Sequence, residues 1–149
     1  MIYFEDLEVG QKTRYGSYHV TRAEVIEFAS RYDPQPFHLD DEAAAANPIF
    51  GRIAASGWHT AGMAMRMTVD HNEATGVQGL GGAKIEDLTW VKPVYPGDTL
   101  RVESEILGLK ATEKRPEMGF VRVGTSVFNQ DAELVMSQIA NVIYARRPA

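Results

Sequence analysis

Residues Ala54–Val69, AASGWHTAGMAMRMTV, decide the fold. Apart from Arg66 the stretch carries no charge, and wound as an α-helix it is apolar or small on every face. A helix with no polar side to offer water is expected to be surrounded by protein rather than to lie on a surface. At 1.5 Å per residue it would run about 24 Å, and it is too short and too rich in Gly and Ala to read as a membrane span. Ala61, Gly62 and Ala64 are expected to let strands approach closely. Met63, Met65 and Met67 lie two apart, spread over different faces and read as core filler.

What surrounds such a helix is legible downstream. Leu100, Val102, Ser104 and Ile106 alternate with Thr99, Arg101, Glu103 and Glu105, the period of a half-buried strand. Pro96-Gly97-Asp98 forms the turn that introduces it. Two further β runs, Phe120–Phe128 and Leu134–Ala145, are separated by the turn-like NQDAE, and Lys84–Val91 is a fourth, weaker strand. Short connections of this kind make antiparallel pairs. Upstream, Thr21 followed by Glu24 reads as a capping box, and Val25, Phe28, Ala29 and Tyr32 share the apolar face of the helix it starts. Pro34 ends that helix at Asp33. Asp41–Ala46, with its run of alanines, is a second short helix stopped by Asn47-Pro48. The class is therefore α+β, an antiparallel sheet wrapped around one long apolar helix.

Composition fits one domain spanning residues 1–149, with 44% hydrophobic residues and no repeat, linker or low-complexity segment. A net charge of −5 argues against a general nucleic-acid role, since no basic stripe is present to attract phosphates, though a local Lys/Arg patch would suffice for a ligand with a few phosphates. Lys110, Lys114 and Arg115 are interrupted by Glu113 and Glu117, and read as a solvated hairpin end. Zero cysteines removes any disulfide framework or thiolate metal site. The opening MIYFEDLEVG has neither a basic segment nor an apolar run, so a cytoplasmic protein with no membrane association is expected.

The residues equipped for chemistry lie just before the central helix, in RYDPQPFHLDD, Arg31–Asp41. Five residues of extended chain reach up to about 17 Å, so Asp33 and His38 meet only if the segment between them turns back, and Pro34 and Pro36 restrict how. Asp and His held together make a general acid/base couple, because His titrates near neutrality and Asp can accept a proton or orient a ring. The plainer alternative leaves Asp33 as a helix stop and His38 in a loop. Gly57, near the start of the central helix, would leave unpaired N–H groups accessible to a developing oxyanion, or would merely permit close packing. His59 reads as a hydrogen-bonded core histidine or a pocket-lining group, and His71 as a partner of the helix C-terminus. No His-x-His or His-Glu-x-x-His spacing predicts a metal. The glycines of GVQGLGG precede a strand rather than opening a helix, which is the wrong context for a dinucleotide loop. There is no Gly-x-Ser-x-Gly elbow.

These pieces, in this order, resemble the MaoC-like dehydratase family, the (R)-specific enoyl-CoA hydratases with a hotdog fold. The family's Asp, Pro, His and following acid match Asp33, Pro36, His38 and Asp40. Ser56–Gly62, SGWHTAG, is similar to its entry into the central helix, and Leu88–Asp98, LTWVKPVYPGD, to its strand and Gly-Asp turn; FEDLEVGQ also fits. The resemblance covers nearly the whole chain. It departs at Tyr32 and Gln35, where the family has Gly and Asn, and at Ser56, where it has His.

The resemblance implies reversible hydration of a trans-2-enoyl thioester to an (R)-3-hydroxyacyl thioester, with no cofactor beyond the coenzyme A of the substrate. Asp33 and His38 would activate water, and the amide of Gly57 would polarise the thioester carbonyl. Tyr32, Gln35, Ser56 and Trp58 would line the acyl site, with Tyr32 and Trp58 shortening or redirecting it. Arg52 or Lys92 would meet the coenzyme A phosphates. A homodimer, open to further assembly, with the acyl-CoA tunnel along the subunit interface, is also implied. Two other readings stand beside this one: a hotdog acyl-CoA thioesterase, which the absence of Asp or Glu between Ala54 and Val69 weighs against, and a non-catalytic acyl-CoA-binding protein, which has no need of a paired Asp33 and His38.

Overall fold

A computed structural model describes residues 1–149. Three helices, α1 (Arg22–Tyr32), α2 (Asp41–Ala46) and α3 (Gly57–Thr75), accompany five strands, β1 (Lys12–His19), β2 (Gly79–Trp90), β3 (Thr99–Ala111), β4 (Met118–Phe128) and β5 (Leu134–Ala145). The strands form one antiparallel sheet in the order β1-β3-β4-β5-β2. The sheet with its central helix is the hotdog arrangement. Register follows the alternation read above: Val102 of β3 faces Val127 of β4, which faces Met136 of β5, putting three apolar side chains in a row on one face. Met63, Ala64 and Met67 of α3 pack into the same core with Val20, Val25, Val94, Leu100 and Val135. Burying a Met or Val side chain of this kind stabilises the fold by roughly 1.5–3 kcal/mol each.

Three expectations need correction. First, α3 begins three residues later than the apolar run and continues past it to Thr75, ending where Gly76 takes the left-handed conformation at φ 77°. Apolar character stops at Val69, but nothing in residues 70–75 breaks the helix, and the backbone continues until Gly76, free to adopt positive φ, ends it. His71 is therefore inside the helix, where it stacks on Tyr15 with ring centroids 4.2 Å apart, and it does not face the C-terminal dipole. The added turns also bring Asp70 and Glu73 onto the helix.

Second, α3 is not enclosed by its own chain. Trp58 is 59% exposed, Met65 55% and Val69 37%. Gly62, predicted to admit a strand, has nothing within 4 Å of where a Cβ would sit. These four residues fall at helical spacing on one outward stripe. Beside it, β2 is an edge strand with Leu80, Ile85 and Trp90 exposed. It begins at Gly79, so the GVQGLGG glycines lie partly within it.

Third, β1 is absent from the sequence reading. Its alternation fails at Gly16, where the register against β3 shifts between Tyr15 and Tyr18. Gly16 has φ 89°, and a Cβ there would lie 2.9 Å from Met67 Cγ and 3.0 Å from Met67 Cβ. Both the bulge and the approach of α3 require glycine. We expect Gly16→Ala to lower stability by roughly 2–4 kcal/mol, the sum of left-handed strain and overpacking against a buried Met67. Gly10→Ala, also at positive φ but with nothing within 4 Å, is the control and should lose only the strain part; urea denaturation midpoints of the two variants make the comparison.

Candidate active site

Asp33 closes α1, its N–H bonded to Ala29 O at 2.9 Å. Pro34 denies helical geometry to the residue before it, and the chain turns instead: Gln35 N–H donates to Asp33 O at 2.7 Å, and a single 3₁₀ turn follows over Pro36–His38. His38 N–H, bonded to Gln35 O at 3.0 Å, completes the reversal. The result is that His38 Nε2 lies 3.4 Å from Asp33 Oδ2. Proline rigidity thus sets the relation of the two side chains. Asp40, the following acid, caps α2 by accepting from Ala43 N–H at 2.8 Å.

His38 is 3% exposed, packed against the rings of Phe37 and Phe50 at 4.6 and 5.5 Å, which also stack on each other at 5.2 Å. Its Nδ1 is 2.7 Å from Ala54 O. A carbonyl only accepts, so Nδ1 carries the proton and Nε2, on the Asp33 side, is the nitrogen left to exchange protons. Asp33 is held by two donors, Ser56 Oγ to Oδ2 at 2.7 Å and Gln35 Nε2 to Oδ1 at 2.6 Å. Burial pushes its carboxyl up, but these two hydrogen bonds and the nearby His38 outweigh that effect and hold it below the ordinary carboxylate value.

Ser56 stands at the N-cap of α3 yet makes no capping hydrogen bond, its hydroxyl being turned to Asp33. The amides of Gly57, Trp58 and His59 meet no acceptor in the protein, as first-turn amides do when no cap serves them. Gly57 is glycine because of Trp90. A Cβ at residue 57 would lie 2.7 Å from both Cδ2 and Nε1 of that indole, and Trp90 Nε1–H donates to Gly57 O at 2.8 Å. Trp58 meets Trp90 edge-on, with centroids 4.9 Å apart.

The structure therefore brings together Asp33, His38, Gln35 and Ser56 and places Gly57 directly after Ser56. Tyr32 precedes Asp33 but is 67% exposed, its ring against Phe28. Arg52 lies outside this cluster, its guanidinium 3.8 Å over the Tyr95 ring. Lys92 is ion-paired with Glu133. No group of three or more His, Asp or Glu side chains is arranged to hold a metal ion.

Two features of the neighbourhood escaped the sequence reading. In sequence Trp90 reads as part of a strand and of the family-like stretch Leu88–Asp98, with no role at the site, and no spacing rule connects residues 57 and 90. Glu24 had been read as half of a capping box. Thr21 does accept Glu24 N–H at 3.3 Å, but the Glu24 carboxylate is drawn inward to the Tyr18 hydroxyl and to His59 Nε2 at 3.1 Å. Burial raises that carboxyl, and the Tyr18 and His59 hydrogen bonds more than reverse it; Tyr18 in turn is pushed up to about 12 by burial and by Glu24. His59 is buried, stacked on Phe28 at 4.8 Å, and joins α3 to α1.

Comparison with known proteins gives this site its context. Residues 6–130 match the family described as MaoC like domain, and the chain belongs to the MaoC-like dehydratase family. The crystal structure of the MaoC-like dehydratase from Rhodospirillum rubrum is 37% identical, covers 100% of both chains and superposes with a TM-score of 0.88. An uncharacterized protein of Bacillus subtilis, YdeM, is 30% identical over 142 residues, 95% of this chain and 98% of that one. The 3-hydroxybutyryl-CoA dehydratase of Methylorubrum extorquens is 32% identical over 120 residues, 79% of this chain and 72% of the relative.

A carboxyl held low by folding adds stability at pH above the unfolded carboxylate value, and that contribution is lost as pH falls through the folded value. Removing the Ser56 donor should move Asp33 back up. In Ser56→Ala we expect the ¹³C carboxyl titration of Asp33 to shift to higher pH than in the wild type, and acid unfolding to begin at higher pH. An unmoved titration would mean that Ser56 does not hold this carboxylate.

Proposed function

We propose that the protein hydrates trans-2-enoyl-CoA thioesters, and dehydrates the corresponding (R)-3-hydroxyacyl-CoA, as a hydro-lyase. The observation that carries this reading is Asp33 Oδ2 and His38 Nε2 at 3.4 Å beside a helix N-terminus whose Gly57 amide has no acceptor. Membership of the family and the dehydratase named among the relatives support it.

In the proposed reaction the thioester carbonyl accepts from the Gly57 amide, with the N-terminal field of α3 behind it. This draws electron density from Cβ. One water, bound between Asp33 and His38, loses a proton to the pair as its oxygen bonds to Cβ. The pair of the former Cα=Cβ bond forms the Cα=C bond of the enolate while the carbonyl π pair moves to the oxygen at Gly57, and the acid/base pair then returns a proton to Cα as the carbonyl re-forms. No proton is consumed or released overall. The two proton steps are assigned to Asp33 and His38 together and not divided between them. Ser56 and Gln35 hold the carboxylate ionised and aimed, which gives the Gln35 and Ser56 positions a supporting place in addition to lining the acyl site. Tyr32 and Trp58 are the large side chains available to bound that site, and Arg52 the exposed cation available to coenzyme A phosphates.

We further propose that the working form is a homodimer. The outward stripe of Trp58, Gly62, Met65 and Val69 and the free edge of β2 offer apolar surface and unpaired backbone groups that a second copy would cover. A cytoplasmic location suits a coenzyme A substrate and a chain without cysteine; no helix is long and apolar enough to cross a membrane. The hydrolytic alternative gains little from Asp70 and Glu73: Asp70 is paired with Arg66 at 2.9 Å, and thirteen helical residues put it about 20 Å along α3 from Gly57.

A panel of enoyl-CoA esters of graded length tests the reading by loss of the conjugated-thioester absorbance, with free thiol assayed separately. Hydration without thiol is expected; thiol release without hydration would favour a thioesterase. Asp33→Asn and His38→Ala should each lower kcat on the order of 10²–10⁴-fold with the fold intact, and full activity in either variant would remove that residue from the mechanism. Met65→Lys should convert a particle of twice the chain mass to a monomer in light scattering, a result that would not follow if the stripe faced only solvent.

A further inference from the structure

We infer that Trp90 is a positioning residue for the Gly57 amide, acting through its indole N–H; the inference rests on the hydratase reading. The peptide group that carries the Gly57 N–H is bounded by Ser56 and Gly57, and both residues are tied. On one side the Ser56 hydroxyl donates to Asp33 at 2.7 Å, and Ser56 O accepts the first helical bond from Thr60 N–H at 3.0 Å. On the other side the next carbonyl, Gly57 O, accepts from Trp90 Nε1–H at 2.8 Å. The indole lies so close over the Gly57 Cα that no side chain fits there. Trp58 closes against the indole edge-on and limits its swing.

Each contact has a separate consequence. The Ser56 bond fixes the donor amide relative to the carboxylate, so that carbonyl polarisation and water delivery act on one substrate in register. The Trp90 bond fixes the next peptide of the turn, through a carbonyl that the Ser56 hydroxyl does not contact. An indole is needed for this. Phenylalanine would fill much of the space but has no N–H to offer a carbonyl. Trp90 sits at the end of an edge strand and is 43% exposed, so its place is not explained by core packing alone. Donors aimed in advance at a developing oxyanion need no reorganisation during reaction, and loss of that aim falls on the transition state more than on substrate binding.

The test is Trp90→Phe, read by ¹⁵N relaxation of the Gly57 and Trp58 amides and by steady-state kinetics on the best enoyl-CoA of the panel. We expect both amides to lose order relative to the wild type, and kcat to fall about tenfold with KM unchanged, which marks an interaction realised only in the transition state. Unchanged order overturns the proposal whatever the kinetics, because Trp90 would then not act through Gly57. Reduced order with unchanged kcat also overturns it. Reduced order in a protein whose wild type hydrates no enoyl-CoA keeps the clamp and sinks the hydratase reading, so the two failures are distinguishable. Should Trp90→Phe fail to fold, the wild type is titrated with butyryl-CoA, a saturated thioester that cannot react. The Gly57 amide and the Trp90 indole N–H are then expected to shift with one Kd, and a Gly57 shift that leaves the indole N–H unmoved overturns the proposal.

Discussion

Met63, Ala64 and Met67 of α3 pack against the row formed by Val102, Val127 and Met136, and the rest of the molecule depends on that contact. It sets where the helix lies on the sheet, and so where its first turn emerges. Ser56 and Gly57 stand at that turn because the sheet holds the helix, and Asp33 reaches Ser56 because α1 packs Val25 and Ala29 into the protein interior. A shift of one helical position would carry Ser56 about 1.5 Å along the axis, enough to break a 2.7 Å hydrogen bond. Core packing and site geometry are one constraint.

The first turn of α3 shows what a site gives up in ordinary stability. A serine N-cap that served its own helix would contribute roughly 1 kcal/mol. Here that hydroxyl is spent on Asp33, and the amides after it are left without acceptors. Glu24 follows the same logic in α1, where its carboxylate leaves the helix end to meet Tyr18 and His59. In both places a local helix-end interaction gives way to one between elements. Both carboxyls end below their usual values, because the hydrogen bonds they accept outweigh burial.

The departures from the family pattern take on physical meaning in this setting. Gln35 bends back on its own Asp33, and Ser56 reaches the same carboxylate from α3, so the carboxylate accepts one donor on each oxygen. Tyr32, next to Asp33, leaves two thirds of itself exposed with its ring against Phe28.

By itself the sequence determined the elements whose cause is local. Pro34 and the Thr21 cap bound α1; Asn47-Pro48 ends α2; Leu134–Ala145 appears as a strand with the ends predicted; and Pro34 and Pro36 restrict how the chain between Asp33 and His38 can turn. Residue chemistry made Asp33 and His38 candidates, and the resemblance to the family singled them out from the plainer alternative. Tertiary structure decided what depends on contacts far apart in the chain. It turned an interrupted alternation at Gly16 into a bulged strand, because Met67 lies beneath it. It left one stripe of an all-apolar helix uncovered, because five strands cover only one side. It also made residue 57 glycine on account of an indole 33 residues away. Propensity and periodicity act over a few residues, whereas the fit of Trp90 over Gly57 exists only after β2 and α3 have been placed by the core.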